Sequence, residues 1–236
     1  MSEPASVCRR IGMLIPSSNT VVEPETMKLV PQNGTVSLHF SRLRVTTISA
    51  DPDSTRQFEH DAMLQAALLL ADARVERIAW VGTAASWLGP ARDEEFVRAF
   101  QARSGIPTTT SVIAINRRLK QLGARRLGLV TPYIAALEEQ IVSNYLSMGI
   151  EVVAARRLDL TVNTDYAEVS ENRIEGMVRE LLPAAPDAVV IMCTNLRFGA
   201  RSRKLQRDLA IPIIDSVAAT VDACLNPLPI ELTGIS

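Results

Sequence analysis

Four clusters of small polar residues stand directly behind apolar runs in this chain. They are Ser17-Ser18-Asn19 behind Ile11–Pro16, Gly82-Thr83-Ala84 behind Arg77–Val81, Tyr133 behind Leu127–Thr131, and Cys193-Thr194-Asn195 behind Ala188–Met192. Together they offer hydroxyls, amides, backbone N–H groups and one thiol, with few charged side chains. Such a set suits a small carboxylate held by neutral donors, and it lets negative charge develop on that carboxylate during reaction. Cys193 carries the sharpest chemistry. Backbone N–H groups at the turn after its strand are expected to lower the thiol pKa and make it a proton donor or a nucleophile; the competing reading is a small buried hydrophobe. Cys8 in the N-terminal arm and Cys224 on a helical pattern read as structural. His39 and His60 have no partners at metal-ligand spacing, so no metal is expected. Neither GxGxxG nor GxxxxGK[ST] occurs, so no nucleotide cofactor is implied. The basic run Arg197–Arg207 reads as a solvated helix face, and Trp87 as either a pocket wall or core packing.

The elements that must position these clusters alternate along the chain. Strands are expected at Ile11–Pro16, within Val36–Val45, at Arg77–Val81 and after Ile106-Pro107. Helices are expected at Thr55–Ala73, Asp93–Arg103 and Val112–Leu122, the last stopped by Gly123. The pattern then restarts with strands Leu127–Thr131, Glu151–Ala155, Ala188–Met192 and Pro212–Ile214. A helix follows Tyr133, and others are expected over Asp165–Leu182, near Arg201–Leu209 and from Ser216. IGMLIPSSNT at Ile11 resembles LGLVTPYIAA at Leu127, WVGTAAS at Trp80 pairs with IMCTNLR at Ile191, and IPTTTSVIAI at Ile106 pairs with IPIIDSVAAT at Ile211. Three ordered matches, their offset shrinking slowly, predict an α/β fold of two pseudo-symmetric lobes, 1–123 and 124–236. Each lobe is expected to be a mostly parallel four-stranded sheet flanked by helices, with a C-terminal helix free to cross over. Ligands of open parallel sheets bind beyond the carboxyl ends of the strands. Two lobes placed face to face therefore bring the four clusters to one cleft.

Composition sets the outer bounds. The 236 residues are 47% hydrophobic and 22% charged, enough apolar material for a real core. Twenty-five Lys+Arg against 26 Asp+Glu leave a net charge of -1, without the basic footprint of a nucleic-acid binder. No apolar run is long enough to span a bilayer, and Met1–Arg10 lacks the apolar core of a secretory signal. Three cysteines are too few and odd in number for a disulfide framework, which points to a reducing, cytoplasmic setting.

The stretches Pro16-Ser17-Ser18-Asn19-Thr20 and Val22-Glu23-Pro24-Glu25, with Thr131-Pro132-Tyr133, Asn163 and Cys193-Thr194-Asn195, resemble maleate cis-trans isomerases of the aspartate/glutamate racemase superfamily. The resemblance covers nearly the whole chain in order. It implies a cofactor-independent enzyme of two pseudo-symmetric lobes, with two cysteines facing each other at the interface. In the isomerases the first cysteine attacks maleate and the second serves as acid and base. Here the first position is Gly82, and Gly82-Thr83 followed by a small residue is similar to arylmalonate decarboxylase, which keeps only the second-lobe cysteine.

That resemblance implies that Thr83 and Tyr133 hold a carboxylate or enediolate and that Cys193 protonates it. Pro16, Ser17, Ser18, Asn19, Gly82, Ala84, Asn163, Thr194 and Asn195 would line the substrate, although Ala84 lacks the hydroxyl of the decarboxylase serine. The chemistry agrees with the departure. Racemisation by two acids needs one on each face of a carbanion, whereas loss of CO₂ makes the carbanion and a single thiol quenches it. The glycine is expected to leave space for a larger side chain. The reading is therefore decarboxylation of a small dicarboxylate without cofactor or metal, and without nucleic-acid or membrane partners; a homo-oligomer is left open. A maleate-isomerase-like activity and a catalytically degenerate carboxylate-binding protein are the alternatives.

Overall fold

A computed structural model describes residues 8–51 and 56–226. The first half builds β1 (Arg9–Pro16), α1 (Val22–Leu29), β2 (Val36–Leu43), α2 (His60–Asp72), β3 (Arg77–Trp80), α3 (Ala85–Leu88), α4 (Pro90–Ser104), β4 (Thr108–Thr110) and α5 (Ser111–Leu122). The second half builds β5 (Arg126–Thr131), α6 (Ala135–Ser147), β6 (Glu151–Arg157), α7 (Asn163–Ala167), α8 (Glu171–Leu181), β7 (Ala188–Ile191), α9 (Gly199–Leu209), β8 (Ile213–Asp215) and α10 (Ser216–Leu225). Two separate four-stranded sheets result, ordered β2-β1-β3-β4 and β6-β5-β7-β8, and every pairing within them is parallel. The strand orders superimpose element for element, as the repeat predicts. β1 and β5 are the counterparts at Ile11 and Leu127, β3 and β7 those at Trp80 and Ile191.

The apolar runs become strands because both faces of each sheet are covered. Ile11–Pro16 is buried at six consecutive positions, and β7 at all four. Such strands show no alternation, since neither face meets water. On one face of the first sheet Ile11, Met13, Ile15, Ala79 and Val81 pack against Val22 and Leu29 of α1, and against Val217, Val221 and Cys224 of α10. The last helix of the second half thus covers the first sheet. It is fastened beside α5 by a buried hydrogen bond of 2.8 Å between the Ser111 and Thr220 hydroxyls. A larger cluster, running from Leu14 and Trp80 through Tyr133 to Ile191 and Leu205, is continuous across both halves.

Three local expectations change. The helix expected over Asp165–Leu182 is two helices, α7 and α8, because the Ser170 hydroxyl accepts from Arg173 N–H and starts a new one. The helix expected from Asp93 begins at Pro90, after Gly89 at φ 98, a backbone conformation that favours glycine. The short helix α3 lies outside the expected elements. Thr55, where the helix before β3 was expected to begin, lies outside the described residues.

Candidate active site

The four polar clusters meet where the carboxyl ends of the two sheets face each other. Thr83 follows β3, Tyr133 follows β5 and Cys193 follows β7. The Thr83 and Tyr133 hydroxyls lie 2.6 Å apart, and the Tyr133 hydroxyl is in turn hydrogen-bonded to the Cys193 thiol. Cys193 Sγ also accepts from Asn195 N–H at 3.3 Å and from Leu196 N–H. Thr194 donates to the carbonyl of Val81 at 3.2 Å, which fastens the Cys193 turn against the strand end that leads into Gly82 and Thr83. Thr83, Tyr133 and Cys193 are each at most 5% exposed.

A seam of amides surrounds this trio. Asn19 accepts from Val21 and Val22 N–H at 2.9 Å each, turning the chain into α1, and donates to Thr194 at 3.3 Å. Asn195 donates to the carbonyl of Asn163 at 2.5 Å and accepts from Thr20 N–H at 3.1 Å. Asn163 donates to Ser18 at 2.7 Å, and the Ser17 and Ser18 hydroxyls both donate to the carbonyl of Val45. The carbonyl of Pro16 accepts from Asn19 N–H. These bonds tie the two halves together. The hydroxyl that Ala84 lacks is supplied two residues on by Ser86, but it donates to the carbonyl of Thr83 at 2.7 Å.

The trio is neutral, for a physical reason. Burial pushes the Cys193 thiol up to about 12; the Asn195 N–H and Tyr133 offset this only in part. The expectation of a lowered thiol pKa is therefore corrected, because desolvation outweighs the N–H groups. Burial also raises Tyr133 well above its ordinary value, and charge on Cys193 would raise it further. At neutral pH both groups keep their protons.

Aromatic rings form the wall. Trp87 meets Tyr133 edge to face at 4.8 Å, and Tyr166 meets Tyr133 at 5.9 Å, so Trp87 borders the trio. Tyr166 is a neighbour that the sequence presented only as one residue of a helical stripe. Gly82 requires a second correction. A Cβ at this position would lie 2.3 Å from Trp80 Cζ2, 2.5 Å from Cε2 and 3.0 Å from Nε1, so the space expected beside the glycine is filled by the indole.

Other candidates lie elsewhere or are spent. The basic run on α9 is paired at the surface, Arg201 with Glu171 and Glu175, Arg203 with Asp222 and Lys204 with Asp208. Cys224 is buried under the first sheet, away from the trio. Among the described residues no group of three or more His, Cys, Asp or Glu side chains could hold a metal ion, and no helix is long and apolar enough to cross a membrane. Two buried carboxylates have partners that the sequence did not show. Asp215 caps α10 by accepting from Val217 and Ala218 N–H and acts on Cys193 through its charge, while Glu25 accepts from Ala200 N–H.

Comparison with known proteins agrees with this geometry. A maleate isomerase of Geobacillus stearothermophilus is 28% identical over 94% of this chain and 92% of its own. The arylmalonate decarboxylase of Bordetella bronchiseptica is 24% identical over 89% and 86% respectively. The structure of a maleate cis-trans isomerase from Nocardia farcinica, a cysteine-to-serine variant with a covalently bound succinylcysteine intermediate, superimposes with a TM-score of 0.84. It is 26% identical, over 92% of this chain and 91% of that one. The profile of the arylmalonate decarboxylase family matches residues 11–232, and with both sheets, the cleft and its single thiol inside that span, the chain belongs to this family.

Proposed function

We propose that this chain is a cofactor-independent decarboxylase of a small malonate-type dicarboxylate, with Cys193 as the proton donor. The observation that carries the reading is the neutral set of Thr83, Tyr133 and Cys193, in a chain whose position 82 is a glycine. One carboxylate accepts from the Thr83 and Tyr133 hydroxyls. The bond from the α-carbon to the other carboxylate breaks, CO₂ leaves, and the electron pair passes into an enediolate whose oxygens those hydroxyls stabilise. The Cys193 S–H gives its proton to the α-carbon, and the thiolate recovers a proton from solvent water. A buried setting favours these steps: the thiol arrives protonated, and a dry pocket disfavours the localised charge of the departing carboxylate, which leaves as neutral CO₂ while that charge spreads into the enediolate. Asn19, Asn163, Thr194 and Asn195 hold the frame, with Pro16, Ser17, Ser18, Gly82 and Ala84 alongside the substrate. The halves are divided at residues 123 and 124. The three free cysteines support a reducing, cytoplasmic setting.

Maleate isomerisation is the second reading, favoured by the higher identity to the isomerase of Geobacillus stearothermophilus. It would need a nucleophilic thiolate. Position 82 has no thiol, and Cys193 holds its proton to about pH 12. Proton NMR in D₂O separates the two. Methylmalonate should give propionate deuterated at its α-carbon; conversion of maleate to fumarate with methylmalonate and phenylmalonate untouched would replace the first reading by the second.

A further inference from the structure

We propose that Trp80 is the specificity-determining residue of this cleft: its indole fills the volume that a side chain at position 82 would need, and so sets both the absence of a second acid and the size of substituent accepted on that face. The inference rests on the decarboxylase reading for its substrate, but on geometry alone for the filling.

Trp80 ends β3, and one residue beyond it the Val81 N–H still donates to the carbonyl of Leu14 at 2.8 Å. Residues two apart along extended backbone project to the same side, which brings the indole over Gly82. The six-membered ring reaches to 2.3 Å from where a Cβ would stand, far inside the ~3.5–4.0 Å at which carbon atoms attract. The indole cannot yield freely, being 1% exposed and held edge to face by Phe58 at 6.4 Å. Phe58 packs on Trp87 at 6.3 Å, and Trp87 on Tyr133 at 4.8 Å. Trp80 is therefore the far end of an aromatic arc that begins at Tyr133. Any side chain at position 82 would have to displace the indole, and on the decarboxylase reading the volume that a second acid would need belongs to the indole rather than to a substrate group. The substrate that fits is a malonate with a methyl-sized α-substituent on that face, not an aryl group.

A set of variants reads the filling and the specificity separately. Gly82→Cys alone should lower the melting temperature by roughly 4–10 °C, the usual effect of overpacking in a chain of this size. In a Trp80→Leu background the same substitution should cost little, and strong non-additivity between the two sites is the signature of shared space. Trp80→Phe keeps a ring against Phe58 while withdrawing the Cζ2 and Nε1 edge, and it replaces Trp80→Leu should the latter fail to fold. For specificity, the ratio of kcat/KM for phenylmalonate over methylmalonate should rise at least about tenfold in the Trp80 variant, more than one methylene-sized change achieves at the low end. Additive melting shifts would overturn the filling. An unmoved ratio in a folded, active variant would overturn the specificity role. Should the parent process neither malonate, the decarboxylase reading fails, and the melting cycle alone decides whether the indole occupies position 82.

Discussion

Three neutral side chains in contact, Thr83, Tyr133 and Cys193, are an economical way to receive a negative charge. On the proposed decarboxylation, a charged group placed there beforehand would repel or bind the developing enediolate too early, whereas hydroxyls and a thiol respond only as charge appears. Burial keeps this arrangement neutral, because it pushes the thiol up to about 12 and the phenol well above its ordinary value. If Cys193 only delivers a proton, Cys193→Ser should fold as the parent does, bind substrate with little change in KM and lose about 10²–10⁴ in kcat. Steady-state kinetics on the substrate found by NMR would check this, and a fully active serine variant would end the assignment. On the proposed reading position 82 offers no second acid, being a glycine with an indole packed against it.

Helix α10 links the scale of side chains to that of the lobes. It starts in the second half, where Asp215 caps it, and buries Val217, Val221 and Cys224 against the first sheet. Cys224 sits there with its thiol pushed up to about 12 by burial, offset in part by Arg77 and Arg9. The sign of the linkage follows directly. An unfolded thiol ionises near 8.5 while the buried one stays protonated, so this contribution to stability is whole below that value and is lost as pH rises towards 12. Cys193 titrates in the same window. Each thiol should remove up to about 1.4 kcal/mol per pH unit between those limits. Urea unfolding at pH 7.5 and 10.5 should show the parent losing more stability than Cys224→Ala, whatever their difference at the lower pH. Equal losses would mean that the Cys224 site is hydrated.

At the scale of the molecule the halves resemble each other but do not stand alone. One face of the first sheet is covered by α10, the large apolar cluster runs through both halves, and the amide seam from Asn19 to Asn195 crosses between them. The cleft is thus rigid where it must be, since the turns that carry Thr83 and Cys193 are fastened to each other through Thr194 and Val81. Thermal unfolding should be one cooperative transition, and residues 1–123 expressed alone should lack stable structure, because Ile11, Met13 and Ile15 would face water on the side that α10 covers. Calorimetry of the whole chain and circular dichroism of the fragment would test this. A folded, monomeric fragment would show that the first half carries its own core.

Much of this could be read from residue order alone. Apolar runs followed by small polar clusters recur in both halves, and local patterns of that kind fix strands, their parallel pairing and the end of the sheet at which polar groups gather. Tyr133, Thr83 and Cys193 could be named because each stands at such a strand end, and the departure at Gly82 was visible as a single letter. What the sequence could not show depends on distance through space. The Cys193 pKa turns on the contest between burial and N–H donors, which only packing settles. The crossing of α10 onto the first sheet and the pairing of Ser111 with Thr220 join residues far apart in the chain. The emptiness expected beside Gly82 was the natural inference from a missing side chain. Tertiary structure decided otherwise, because close packing leaves no void beside a glycine when a neighbouring indole can fill it.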